Sequence, residues 1–150
     1  MHHELHTEIE IAAPIEAVWE ALTDLAAYPE WNPFIVSAEG RADVGESLTN
    51  RMQPPGGKGM TFKPTVAVVE APVALEWLGR LGLPGIFDGR HRFDLAPTEN
   101  GGTLMTQSEQ FDGILVRFMR TSLDTQTVAG FEAMNAALKV RVEAIVGCPS

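Results

Sequence analysis

Two residues able to exchange protons stand where a β-hairpin would pair them. His91 lies in "IFDGRHRFDLA" and Glu109 in "GTLMTQSEQF", runs separated by the turn-forming residues Pro97–Gly102. A strand sends successive side chains to opposite faces. Phe87, Gly89, His91, Phe93 and Leu95 therefore share one face, and Asp88, Arg90, Arg92 and Asp94 the other. In the second run the odd positions carry the bulkier Met105 and Phe111, which turns Gln107 and Glu109 inward as well. A two-residue turn at Asn100-Gly101 would pair residues of opposite faces. A three-residue loop, Glu99 to Gly101 with Gly101 left-handed, keeps the faces together. That loop pairs Thr98 with Gly102 and sets His91 directly opposite Glu109, about 5 Å away.

An imidazole beside a carboxylate on an apolar face has three readings. It can be a hydrogen-bonded pair that fixes strand register. It can orient a ligand in a mainly apolar pocket. It can also move protons as a general acid and base. Asn135 is a second anomaly, since it interrupts the apolar stripe of the last helix and a buried amide is costly unless bonded. It either caps a nearby carbonyl or faces His91 and Glu109 as a further pocket group. The large residues Trp31, Phe34, Phe62, Trp77, Phe93, Phe111, Phe118, Phe131 and Met134 can serve as core or as ligand wall. With His91, Gln107, Glu109 and Asn135 they form the candidate ligand-binding set, and His91 and Glu109 are the candidate catalytic residues.

Other chemistry finds no footing. "PPGGKGM" lacks the GxxxxGK[ST] spacing of a phosphate loop and joins two strands. Of four histidines, three fall in the first six residues, with no metal-ligand spacing, and His2 and His3 are given no role. The serines lack a nucleophile elbow, and no dinucleotide fingerprint is present. Neither a metal nor a cofactor is expected. The single cysteine, Cys148, can build no disulfide framework. A net charge of −9 repels phosphate backbones and anionic lipid, so nucleic acid is not an expected partner. No apolar run is long enough to span a bilayer and the N-terminus has no apolar signal region, which makes the cytoplasm the expected location.

The elements that must position these residues can be read in order. "TEIEI", residues 7–11, alternates as a first strand. Pro14 suits a first helical turn, and Ile15, Val18, Trp19 and Leu22 follow at helical spacing. "LAAYPEW" gives a second short helix, stopped by Asn32-Pro33. Six strand candidates follow between residues 34 and 111, among them "MTFKPTVAVVE" and "VALEWLGRLG". In the latter Leu75, Trp77, Gly79 and Leu81 face inward. The tail carries Val128, Phe131, Asn135, Leu138, Val142 and Ile145 on one helical stripe, ended by Gly147 and Pro149. This predicts a C-terminal helix over Thr125–Val146, preceded by a separate covering segment, "GILVRFMRTSL". The stripe needs an apolar partner, and the sheet offers the only large one. One α+β domain over residues 1–150 is expected: a seven-stranded curved antiparallel sheet wrapped around the long helix, with two short helices after the first strand.

In this order of elements, and in "APIEAVWEALTDLAAYPEWNPF", "ALEWLGRLG…GIFDGRHRF" and "GGTLMTQSEQF", the chain resembles the SRPBCC superfamily. These are START-like, helix-grip proteins often labelled polyketide cyclase/dehydrase. The resemblance spans residues 7 to 146 and implies the helix-grip fold. It implies no single activity, since the superfamily holds lipid and hormone carriers as well as aromatase/cyclases.

Three functions stay open on these grounds. The first is a binder of a small hydrophobic or aromatic molecule, such as a lipid, a polyketide or a similar metabolite, acting as monomer or homodimer. The second is a cyclase, dehydrase or hydrolase using His91 and Glu109 as a proton-transfer pair. The third is a protein-interaction module with a solid interior. A cavity above about 300 Å³ reaching the His91 face separates the first two from the third.

Overall fold

The computed structural model describes residues 2–80 and 83–147, so Leu81, Cys148 and Pro149 lie outside the described residues. Strand β1 (His2–Ile11) starts well ahead of the alternating run at Thr7, because Leu5 is already an inward residue, 4% exposed. Helix α1 (Ile15–Thr23) follows Pro14, whose missing N–H costs nothing at a helix start. It buries Val18 and Leu22. A 3-10 turn (Leu25–Ala27) leads into the four-residue helix α2 (Tyr28–Trp31). The Tyr28 hydroxyl, fully buried, donates to the Leu22 carbonyl at 2.6 Å, and burial pushes its phenol far above the usual range. The Asn32 Oδ1 then accepts from the N–H groups of Phe34 and Ile35, both at 2.9 Å, and this Asx turn aims the chain into the sheet.

The remaining strands are β2 (Ile35–Glu39), β3 (Thr49–Met52), β4 (Met60–Phe62), β5 (Thr65–Glu70), β6 (Ala74–Arg80), β7 (Asp88–Pro97) and β8 (Thr103–Asp112). The expected seven-stranded sheet is thus replaced by two antiparallel sheets, β1-β8-β7-β6-β5 and β2-β3-β4. The difference arises within "MTFKPTVAVVE". Pro64 has no N–H to give a ladder and restricts Lys63 before it, so the run breaks into β4 and β5, which pair in different sheets. Residues 45–48 still run beside 64–66: the Leu48 N–H donates to the Pro64 carbonyl at 2.8 Å and the Val66 N–H to the Glu46 carbonyl at 2.9 Å.

The C-terminal helix begins earlier than its sequence stripe predicts. Helix α3 (Val116–Ser122) passes through a π turn (Leu123–Thr127) directly into α4 (Val128–Val146). The expected separate cover is therefore the first part of one winding rod. Phe131, Met134, Asn135, Leu138 and Val142 form its buried face, while Ile145 is 60% exposed near the helix end. Gly130 is also buried, because the Phe34 ring lies where its side chain would be. The Phe131 ring meets Phe34 edge-on at 5.7 Å and His91 at 4.9 Å, so helix and sheets converge where the polar pair lies.

Candidate ligand cavity and its proton pair

The β7–β8 hairpin closes through a three-residue loop. The Thr98 N–H donates to the Gly102 carbonyl at 2.9 Å, and Gly101 is left-handed at φ +84°. The ladder that follows sets His91 opposite Glu109, with His91 Nδ1 3.3 Å from Glu109 Oε1. The other ring nitrogen has a partner the sequence reading did not assign: Nε2 lies 2.9 Å from Gln107 Oε1. Gln107 is a diagonal neighbour on the same face, one ladder step of two residues away.

From Gln107 the hydrogen bonds continue to the helix and back to the sheet. Gln107 Nε2 donates to Asn135 Oδ1 at 2.7 Å and lies 3.4 Å from the Phe131 carbonyl. Asn135 Nδ2 donates to Thr7 Oγ1 at 2.9 Å, and the Thr7 hydroxyl donates to the Gln107 carbonyl at 2.9 Å. A carbonyl can only accept, so this chain has one direction. The Thr7 hydroxyl spends its hydrogen on Gln107, hence Asn135 offers its NH2 to Thr7 and its oxygen to Gln107. Gln107 in turn presents its oxygen to His91. The His91 Nε2 must therefore carry a hydrogen. In a neutral ring that leaves the Nδ1 lone pair facing a carboxylate oxygen, so the Nδ1–Oε1 contact is attractive only when a proton sits between them. Asn135 reaches His91 only through Gln107 and acts neither as a simple carbonyl cap nor as a direct neighbour of the pair.

His91 and Glu109 lie in the wall of a cavity of about 210 Å³. Trp77 and Phe111 line it from the larger sheet, Phe87 from the turn just before β7, and Phe34, Met52 and Phe62 from the smaller sheet and its lead-in. Met119, Ser122, Leu123, Gln126 and Thr127 line it from the helical rod, so the π turn forms part of the wall. π turns recur at functional sites because the extra residue redirects side chains. The space exists partly because Gly79, paired with Gly89 across β6 and β7, has no side chain to fill it. Lys58, Met60 and Arg80, all exposed, mark its mouth.

Of the thirteen candidate ligand residues, Phe34, Phe62, Trp77, His91, Glu109 and Phe111 reach this cavity. Phe93, Gln107, Phe131, Met134 and Asn135 lie behind the wall, each no more than 2% exposed. They support it without lining it. Trp31 falls elsewhere: it packs edge-on against Tyr28 and borders an outer groove with Ala137 and Arg141. Phe118 is 71% exposed, because the inward phase of α3 and the π turn runs through Val116, Met119 and Leu123. The sequence reading missed Asn50 and Thr7. Asn50 sits in a short strand with weak apolar alternation, and Thr7 opens the alternating run of β1, where the only signal would have been a polar residue at an inward position.

Among the described residues no helix is long and apolar enough to cross a membrane. No protein of curated function matches the chain by sequence. Solved structures match its fold closely. The ZhuI aromatase/cyclase from Streptomyces sp. R1128 superposes with a TM-score of 0.79 at 15% identity, covering 97% of this chain and 96% of that one. A norcoclaurine synthase point mutant from Thalictrum flavum, in complex with a transition-state analogue, gives 0.75 at 17% identity with 97% of each chain covered. A START superfamily protein from Mycobacterium smegmatis gives 0.74 at 23% identity, covering 95% and 99%. At such identities the likeness speaks for the fold alone. The family model described as polyketide cyclase / dehydrase and lipid transport matches residues 2–143. With that match over nearly its whole length, the chain belongs to the polyketide cyclase / dehydrase and lipid transport family, within the SRPBCC superfamily.

Proposed function

We propose that the protein binds a small apolar or aromatic molecule, about one substituted ring in size, in the cavity between the sheets and the helical rod. The observation that carries this reading is an aromatic-walled cavity that reaches a buried polar pair. Its volume of about 210 Å³ is below the 300 Å³ set for a drug-sized pocket, yet the interior is not solid. An apolar cavity of about 150 Å³ suffices for one benzene ring. A lipid or a polyketide chain would have to project past Lys58 and Arg80 into solvent.

The proton pair favours a second reading, in which the bound molecule is also transformed. With Nε2 committed to Gln107, the proton-active nitrogen of His91 is Nδ1, and it faces Glu109. Glu109 lines the cavity, so it is the group placed to take a proton from, or give one to, a bound molecule, with His91 as its proton reservoir. A cyclisation or dehydration step requires such a transfer.

The test is a titration of the ¹⁵N-labelled protein with toluene, benzaldehyde and phenol, following amide signals of Gly79 and Gly89. Saturable shifts are expected for the parent. They should vanish in Gly79→Leu, where the new side chain fills the cavity. A Cβ at Gly79 meets only Pro64 Cβ at 3.8 Å and the Gly89 carbonyl at 4.0 Å, so the fold should tolerate it. Absence of saturation with all three compounds, or shifts that survive in the variant, would overturn the ligand reading.

A further inference from the structure

Asn50 is a buried polar residue of the cavity wall whose amide oxygen finds no partner among the described residues. It sits in β3 between Ala38 of β2 and Phe62 of β4, so its backbone is committed to ladders on both sides. Its side chain lines the cavity and the residue is only 1% exposed. Its Oδ1 has no hydrogen-bond partner among the described residues. Buried polar atoms are nearly always bonded, and an orphan carries a desolvation cost with no return. An apolar residue at the one buried position of this four-residue strand would carry no such cost.

We infer that Asn50 reads a hydroxyl group on the bound molecule, which makes the ligand class phenolic rather than purely hydrocarbon. An amide offers one acceptor and two donor hydrogens. A hydroxyl is the smallest single group that can donate to the oxygen and accept from the nitrogen, so it satisfies Asn50 in either orientation of the amide. The surrounding aromatic rings of Phe34, Phe62 and Trp77 suit a ring as the remainder. A site built to bond a hydroxyl discriminates strongly against the analogue that lacks it, because the site's own polar group is then left unpaired. The inference rests on the one-ring ligand reading above and adds the polar group that ligand must carry.

The experiment compares phenol with toluene, which are close in shape, on the parent and on Asn50→Leu. The ratio of the two dissociation constants should favour phenol by at least about tenfold more in the parent than in the variant. Asn50→Leu should also melt no lower than the parent in the absence of either compound, since it removes an orphan amide. In the parent, the Asn50 side-chain NH2 signals should shift with phenol and stay in place with toluene, a readout that needs no variant. Equal ratios in parent and variant, or NH2 signals indifferent to phenol, would overturn the inference; that is the result if water satisfies the amide. A marked loss of stability in Asn50→Leu would do the same, since the amide would then have a structural partner. If neither compound saturates the parent, it is the ligand reading itself that fails.

Discussion

The Glu109 carboxylate leans over the bare backbone of Gly89, where a methyl group would overlap its Oε2. Gly89 is the ladder partner of Phe111, two residues from His91. The carboxylate thus uses the space of a missing side chain to put Oε1 on His91 Nδ1 while staying in the cavity wall. Gly89→Ala should displace it and cost little stability, because what must move is the far end of a flexible side chain. The His91 ring ¹⁵N shifts should then show Nε2 still protonated and Nδ1 released from its partner. Unchanged Nδ1 shifts would mean that Glu109 does not depend on the glycine.

Gln107 and Glu109 both touch His91, but removing them should have unequal effects. Gln107→Leu strands the His91 Nε2 hydrogen and Asn135 Oδ1 in a fully buried place, at about 1–3 kcal/mol for each orphan, or about 2–6 kcal/mol together. Glu109→Gln offers the Nδ1 lone pair an N–H donor at the cavity wall and should cost less than about 1 kcal/mol. Urea unfolding of both variants measures the difference. Equal, large losses would make the pair a register device of the core and would remove the pocket role.

Gly130→Ala sets two known effects against each other. Alanine is the better helix former by about 1 kcal/mol. Here, however, its methyl would overlap the Phe34 ring, which is itself fixed against Phe131. Overpacking of that kind costs about 1–3 kcal/mol and should win. Thermal melting should show a lower Tm, and Gly130→Ala combined with Phe34→Leu should recover part of it.

Glu143 ties the helix end to the corner after β1. Its carboxylate pairs with Lys139 and accepts the Ala12 N–H at 2.8 Å, and these contacts, Lys139 first, hold it below the usual carboxylate range. A carboxylate lowered in the folded state stabilises above its unfolded pKa and loses that contribution as pH falls through the folded value. The Tm difference between the parent and Glu143→Gln should therefore be present at neutral pH and close below about pH 4. A gap that persists in acid would assign it to packing.

How the hairpin register could be deduced, while the partner of His91 could not, separates what the chain states locally from what it does not. Alternation and the Glu99-Asn100-Gly101 turn fix which residues of β7 and β8 share a face and which oppose each other, since pleat and loop length leave few choices. The helical stripe from Phe131 to Val142, the helix start at Pro14 and the inward set of β6 are local in the same sense. Gln107 bonding His91 diagonally, and Asn135 closing on Thr7 across more than a hundred residues, depend on how the helix settles on the sheet.

The sequence by itself determined the α+β class, the antiparallel pairing and the opposition of His91 and Glu109, because those follow from periodicities of 2 and 3.6 and from turn chemistry. Tertiary structure alone decided which aromatic residues line the cavity and which merely support it. A pattern of inward residues cannot say whether the space before them is filled. Here the missing side chain of Gly79, the break at Pro64 and the π turn at Leu123–Thr127 jointly left it open. Asn50 became visible only then, as a polar inward residue whose amide oxygen has no partner among the described residues.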